Sequence, residues 1–357
     1  MPSQHPRIAC RLFMPETLAS RNQPAANTSE SEAFFAPLRE HINKLDAFFE
    51  TQIAEFEPAV RELVAYTLAH RGKRLRPGLV FYAGWTGKPP SDALVRAAAI
   101  VELVHLATLV HDDILDDATL RHNSPTAAAK YGPHAAVLLG DALFAQALIL
   151  ASAFPDTGVC RLVSAATRQV CSGEICQTFG RGDARLSLEQ YFRIIRLKTA
   201  ELFEVSCRLG AQIGDVSANP DYAAACAIFG RHLGIAYQIF DDIADFGVNE
   251  AGAGKTLGTD FASGKFTLPV LLYLRRLPDA EAAALAAQLE ARAVSPEQLA
   301  ERMANAGVPS ECKRIFQEET DKADAAIAPF ADAPSATRLH ELTGYVRTRL
   351  SALPRFA

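Results

Sequence analysis

The sequence predicts an all-α fold, and three observations carry that reading. Apolar residues recur at spacings of three and four almost everywhere from about Ala33 onward. Alternating, β-branched runs bounded by hairpin signals are missing. Alanine is abundant, which favours helix and lets neighbouring helices approach closely.

Taken in order, the first helical stretch is "FFAPLREHINKLDAFFETQI" and a longer one is "ALVRAAAIVELVHLATLVHDDIL". Further periodic stretches lie near 135–153, 159–179, 187–213, 220–246, 265–276, 280–290, 296–305, 309–328 and 335–352. Turn-like breaks fall at Gly87–Ser91, Pro155–Gly158, Gly180–Asp183 and Gly247–Gly264. The last is long for a helix connection, and long loops in compact domains are often functional. No composition shift marks a boundary after residue 33, so 33–357 reads as one helical domain. Residues 1–32 are polar and irregular and lack the apolar core of a secretory signal. A disordered extension is the expectation there, with a transit peptide or a start at Met14 as alternatives.

The bulk numbers narrow the function. Of 357 residues, 49% are apolar and 22% charged, with a net charge of −5, an ordinary globular balance. No polybasic face follows, so nucleic acid is not an expected partner. Seven cysteines form no CxxC pair and cannot all pair, which points to reduced thiols in a cytoplasmic setting. The most apolar run, "AAVLLGDALFAQALILASAF", is interrupted by Asp141 and Gln146, so no membrane span is expected.

The chemistry concentrates in "VHLATLVHDDILDDATLRHNSPT". On a helix, Asp112 and Asp116 share a face one turn apart, with Asp113 beside them. Like charges in an apolar helix need a cation, because an unpaired buried charge is costly. Oxygen-only ligands suit a hard cation, and Mg²⁺ fits best, completing its shell with phosphate oxygens. The feature recurs in "YQIFDDIADFG", where Asp241, Asp242 and Asp245 keep the same spacing. Two such clusters on separate helices can face each other across a bundle cavity. Basic groups accompany them: Lys73, Arg74 and Arg76 in "RGKRLRP", Arg121 and His122 after the first cluster, and Lys255 and Lys265 on glycine-rich loops after the second. Lys198, beside Thr199, stands in an apolar helical context, and His105 lies two turns before Asp112. Acidic clusters for Mg²⁺, bases for diphosphate and an apolar cavity together imply a hydrophobic diphosphate substrate. Glycoside hydrolysis would need only two opposed carboxyl groups, and no P-loop motif occurs.

These residues resemble the trans-type polyprenyl diphosphate synthases, in that family's motif order, from about residue 35 to near the C-terminus. The matching stretches are "GKRLRP", "HLATLVHDDILD", "KTAELF", "YQIFDDIADFG" and "GKTLGTDFASGKFTLP". The resemblance implies a single helical bundle around a deep central cavity, a homodimer, and prenyl transfer. It assigns isopentenyl diphosphate to Lys73, Arg76 and His105. The allylic diphosphate would sit on Mg²⁺ (about three ions per site, with Mn²⁺ as a substitute) held by Asp112, Asp116 and Asp241. Asp113, Asp242 and Asp245 would support these ligands. Arg121, Lys198, Lys255 and Lys265 would clamp the diphosphate oxygens, and Thr199 and Gln238 would turn dipoles toward the allylic end. Where the family usually has a second arginine that contacts isopentenyl diphosphate, this chain has His122, which is mostly neutral above a pKa of about 6.5.

Product length is read by the same analogy. The residues five and four before Asp112 are Ala107 and Thr108, small where short-chain members commonly carry Phe or Tyr. A product of about thirty carbons or more is expected, with a farnesyl or geranylgeranyl product as the alternative. "SGEICQ" and "KTAELFEVS" also resemble the long-chain branch. A long product would draw the enzyme toward membranes without a span. The rivals are a class I terpene cyclase, which needs no isopentenyl site, and a non-catalytic partner subunit, which could lose its aspartates.

Overall fold

Helix starts follow the capping chemistry of the chain. Ser91 accepts a hydrogen bond from the Leu94 backbone N–H at 3.2 Å and opens a long helix. Ser187 and Gln190 form a reciprocal capping box, and Pro296 follows a Ser295 cap. A computed structural model describes residues 36–69, 72, 74–121, 124–214, 219, 221–247, 260 and 263–353. Residues 1–32, Lys73, His122 and Lys255 therefore lie outside the described residues.

The described helices are α1 (Arg39–Glu55), α2 (Pro58–Ala69), α3 (Leu75–Ala83), α4 (Asp92–Leu115), α5 (Ala127–Tyr131), α6 (Pro133–Ser152), α7 (Gly158–Phe179) and α8 (Leu188–Ile195). They continue with α9 (Glu201–Gly214), α10 (Tyr222–Gly247), α11 (Leu268–Leu274), α12 (Asp279–Glu290), α13 (Pro296–Asn305), α14 (Val308–Ile327) and α15 (Pro334–Ser351). Nearly all the expected stretches are helical to within a few residues. The stretch expected over 187–213 divides into α8, a π-helical segment (Arg196–Ala200) and α9. The only strands among the described residues, β1 (Leu120–Arg121) and β2 (Ser124–Pro125), pair antiparallel after the first acidic cluster. Two-residue strands leave no alternation to read, so the sequence gives no sign of them.

Helix α4 is apolar on nearly every face and is buried accordingly, packed extensively against α6. Helices α3, α9, α10 and α14 pack in sequence beside it, α9 against both α3 and α10. Both α4 and α6 are long and apolar enough to cross a membrane, which differs from the expectation for α6. Its two polar interruptions do not shorten it: Gln146 is buried and donates to Gln52 Oε1 at 2.8 Å, while Asp141 lies on the surface. Most of α4 is buried inside the bundle, whereas α6 exposes Val137, Leu138, Leu148 and Ile149.

The π segment carries Lys198 and Thr199. A π turn closes i to i+5, here Glu201 N–H to Arg196 O, and such turns occur frequently at functional sites. Two glycines grip this segment. A Cβ on Gly173 of α7 would stand 2.6 Å from the Lys198 backbone nitrogen, and one on Gly234 of α10 would stand 2.6 Å from Ala200 Cα. Both helices approach closely because neither position carries a side chain.

Candidate active site

The C-terminal turn of α4 holds the first acidic cluster, and its three aspartates are treated differently. Asp112 faces Lys198, whose Nζ lies 3.3 Å from Oδ2. Lys198 also pairs with Glu174 of α7. Burial pushes the Asp112 carboxyl up to about 6, Lys198 pulling against that and Glu174 adding to it. Burial alone would lower the Lys198 ammonium, but Asp112 and Glu174 outweigh it and hold it above its ordinary value.

Asp116 is gripped from both sides. Lys265 Nζ donates to Oδ2 at 2.7 Å, and Arg181 Nη2 donates to Oδ1. Burial opposes its ionisation, yet the two cations prevail and hold the carboxyl below its usual range. Asp113 turns away and is buried. It accepts from Arg121 Nε at 2.9 Å and Nη2 at 2.7 Å. Two donors of the Arg121 fork are therefore engaged with Asp113.

The second cluster divides the same way. Asp241 is exposed, and Asp242 is 1% exposed. Asp242 accepts from the Tyr191 hydroxyl at 2.5 Å, Gln238 Nε2 at 2.8 Å and the Leu268 N–H at 3.3 Å. It thereby ties α8 and the start of α11 to α10. Burial pushes its carboxyl up to about 7 despite those donors. Gln238 in turn accepts from the Thr199 hydroxyl at 2.8 Å, so Thr199, Gln238 and Asp242 form one chain of hydrogen bonds. Asp245 accepts from the Asp260 N–H at 3.3 Å.

The two clusters share one electrostatic field. Burial raises the Asp260 carboxyl, and Asp245 from the second cluster and Asp116 from the first both add to it. The Arg76 guanidinium is depressed by burial and held up by Glu102, Tyr237, Asp241 and Asp112, in that order. Arg76 Nη1 donates to His105 Nε2 at 2.9 Å and lies over the Phe203 ring. Burial, then Arg76, Arg121 and Arg74, push the His105 imidazole well below its usual range, so it is neutral and accepts. Arg74 points elsewhere, into Glu102 at 3.2 Å and Asp46 at 3.3 Å, and is a buried brace.

Thr108 is half-buried, its hydroxyl donating to the His105 carbonyl at 2.7 Å, whereas Ala107 is 0% exposed. Of the two small residues, Thr108 is the one beside open space.

Four residues join the site that the motif reading did not single out: Glu174, Arg181, Tyr191 and Asp260. Glu174 and Asp260 sit inside stretches already quoted, "SGEICQ" and "GTDFASGK", as carboxylates in otherwise non-acidic runs. Arg181 fell in a turn and Tyr191 in an amphipathic helix, and neither setting carries a chemical signal.

Asp112, Asp116 and Glu174 face Lys198, Lys265 and Arg181, three carboxylates against three cations. No group of three or more metal-ligating side chains converges among the described residues. The donor chemistry nevertheless fits a hard cation, being all carboxylate oxygen.

A family model described as polyprenyl synthetase matches residues 57–306. The octaprenyl diphosphate synthase of Escherichia coli is 31% identical over 278 residues, covering 77% of this chain and 85% of that protein. The nonaprenyl diphosphate synthase of Mycobacterium tuberculosis is 30% identical over 320 residues, covering 88% and 94%. Among solved structures, a decaprenyl diphosphate synthase from Rhodobacter capsulatus matches with a TM-score of 0.82 at 31% identity, covering 89% of this chain and 99% of that one.

Proposed function

This chain belongs to the polyprenyl synthetase family and is a trans-prenyltransferase, and on that premise we propose that it extends an allylic diphosphate with isopentenyl diphosphate to an all-trans product of about thirty carbons or more. What supports the reading is that Asp112, Asp116 and Glu174 stand against Lys198, Lys265 and Arg181, while Asp241 from the second cluster and Asp112 from the first both act on the Arg76 guanidinium. The family uses divalent metal to bind diphosphate. Here Mg²⁺ would be held by Asp112, Asp116 and Asp241, as a cluster of about three ions. When bound, the metal would stabilise the negative charge that grows on the departing diphosphate.

The remaining work falls to the chain itself. Lys198 and Lys265, with Lys255, neutralise the allylic diphosphate in a partly dehydrated site where each charge counts for more. Arg121 holds Asp113 in place through two donors of its fork, a support more than a direct clamp. Arg76, Lys73 and His122 bind the isopentenyl diphosphate. The neutral His105, accepting from Arg76, fixes the direction of that fork. Thr199 donates its proton to Gln238, which leaves its oxygen lone pairs for the allylic carbon as positive charge develops there. As the allylic C–O bond breaks, the isopentenyl double bond supplies the electron pair for the new C–C bond. The proton then lost goes to the departing diphosphate, so no side-chain base is required. Apolar packing around the aspartates excludes the water that would quench the cation.

A second copy covers Val137, Leu138, Leu148 and Ile149 of α6, giving a homodimer. The 33–357 domain acts in the cytoplasm, and its long product draws it to membranes.

The test is incubation of purified protein with Mg²⁺, isopentenyl diphosphate and, separately, dimethylallyl, geranyl, farnesyl or geranylgeranyl diphosphate, followed by sizing of the dephosphorylated products. A ladder ending at hexaprenyl or longer, abolished by a chelator and restored by Mg²⁺, is expected. A stop at farnesyl or geranylgeranyl would refute the length. Cyclic hydrocarbon formed without consumption of isopentenyl diphosphate would refute the reaction.

A further inference from the structure

Arg181 lies outside every motif named above, in the turn that follows α7. That turn is stitched to the Lys265 turn. The Gly182 N–H donates to the Gly264 carbonyl at 2.9 Å, and both glycines adopt a φ of +78°. Lys265 N–H in turn donates to the Asp260 carbonyl at 2.8 Å. The joined turns deliver Arg181 and Lys265 to opposite oxygens of Asp116.

The same guanidinium reaches the end of α4, where Nη1 donates to the Leu115 carbonyl at 3.0 Å. Carbonyls at a helix C-terminus lack intrahelical partners and carry the negative end of the dipole. Glu174 stands 3.9 Å from Nη2. The Nε of Arg181 is buried and has no hydrogen-bond partner among the described residues. The side chain thus holds a donor in reserve while its fork is occupied.

We propose that Arg181 is an additional ligand for the allylic diphosphate, held on Asp116 until metal takes that carboxylate. The inference rests on reading this site as the metal–diphosphate site. Metal on Asp116 needs the lone pairs that Arg181 and Lys265 now occupy. A guanidinium cannot shed its charge, and without Asp116 it keeps only the Leu115 carbonyl and the distant Glu174, which already serves Lys198, so it is under-compensated in a largely enclosed position. The arriving diphosphate is the adjacent anion, and its oxygens match the arginine fork bidentately. Arg181 is therefore a counter-ion to Asp116 before metal binds and a substrate ligand afterwards.

Calorimetric titration of the full chain with inorganic pyrophosphate, with and without Mg²⁺, tests this. Arg181→Gln should weaken the metal-dependent binding roughly tenfold to a hundredfold, the range of charge-assisted hydrogen bonds, and Arg181→Lys should recover part of the loss. The KM for the allylic diphosphate should rise in parallel, with the KM for isopentenyl diphosphate unchanged. Arg185→Gln, at a surface arginine four residues on, should change neither. Melting curves establish that each variant is folded. Wild-type and Arg181→Gln chains that bind pyrophosphate alike would overturn the role of Arg181 alone and leave it a brace for Asp116. A wild-type chain that takes up no pyrophosphate with Mg²⁺ would overturn the reading of the site, and this role with it.

Discussion

Gly173→Ala should disable the enzyme more than it destabilises it. An alanine Cβ would meet the Lys198 backbone nitrogen at 2.6 Å and Leu197 Cβ at 2.9 Å, where ordinary contact begins at 3.4 Å. Helix α7 and the π segment must therefore separate by about 0.8 Å (3.4 − 2.6). Lys198 Nζ stands 3.3 Å from Asp112, so a movement of that size directed away from Asp112 takes it to about 4.1 Å (3.3 + 0.8), outside hydrogen-bond reach. Overpacking of this kind costs about 1–3 kcal/mol, and the better helix propensity of alanine offsets about 1 kcal/mol. The net loss of stability is then at most about 2 kcal/mol. Misplacing a charged group by such a distance costs on the order of tenfold to a hundredfold in kcat/KM. Steady-state kinetics on the allylic diphosphate, with a urea unfolding curve on the same preparation, measure both quantities. A variant with kcat/KM within about twofold of wild type would show that Lys198 need not be held by this packing.

Three further outcomes are expected. Thr108→Tyr should shorten the product, read by sizing the dephosphorylated chains, whereas Ala107→Tyr should lower Tm because Ala107 is fully packed; an unchanged length in Thr108→Tyr would remove that residue from the cavity floor. Tyr191→Phe deletes a donor to the buried Asp242 and should cost about 1.5–3 kcal/mol in denaturant unfolding, and an unaltered midpoint would mean that Asp242 does not anchor α8 and α11. His105 has a folded pKa well below its ordinary 6.5, so between those two values the unfolded chain binds a proton that the folded chain does not. The stability it contributes is present above pH 6.5 and is lost as pH falls through the folded value, so His105→Gln should flatten the acid limb of a stability–pH curve, and an unchanged slope would refute the assignment.

Much of the fold is legible in the sequence because helical periodicity is a local property. Stretches such as 309–328 and 335–352 match α14 and α15 to within a residue at each end. The π segment is not legible, since "RLKTA" keeps an ordinary helical pattern, and the close approach of Gly173 and Gly234 to it comes from helices distant in the chain. The candidate site is legible where identical spacing repeats, as in Asp112–Asp116 and Asp241–Asp245. Arg181 and Glu174 are not, because their partners lie on α4 and on the π segment, far away in the chain.

The sequence by itself determined the all-α class, the helix positions, the two acidic clusters and the basic residues around them. These follow from spacing and residue type, which need no knowledge of neighbours. Only the tertiary structure decided how like residues divide their work. Within "DDILD" it set Asp112 and Asp116 among cations and turned Asp113 onto Arg121. Within "RLRP" it sent Arg74 into Glu102 and Arg76 to His105. The physical reason is that a charged side chain in a dehydrated interior takes its role from whichever counter-charge packing brings within reach, and chain folding alone selects that partner.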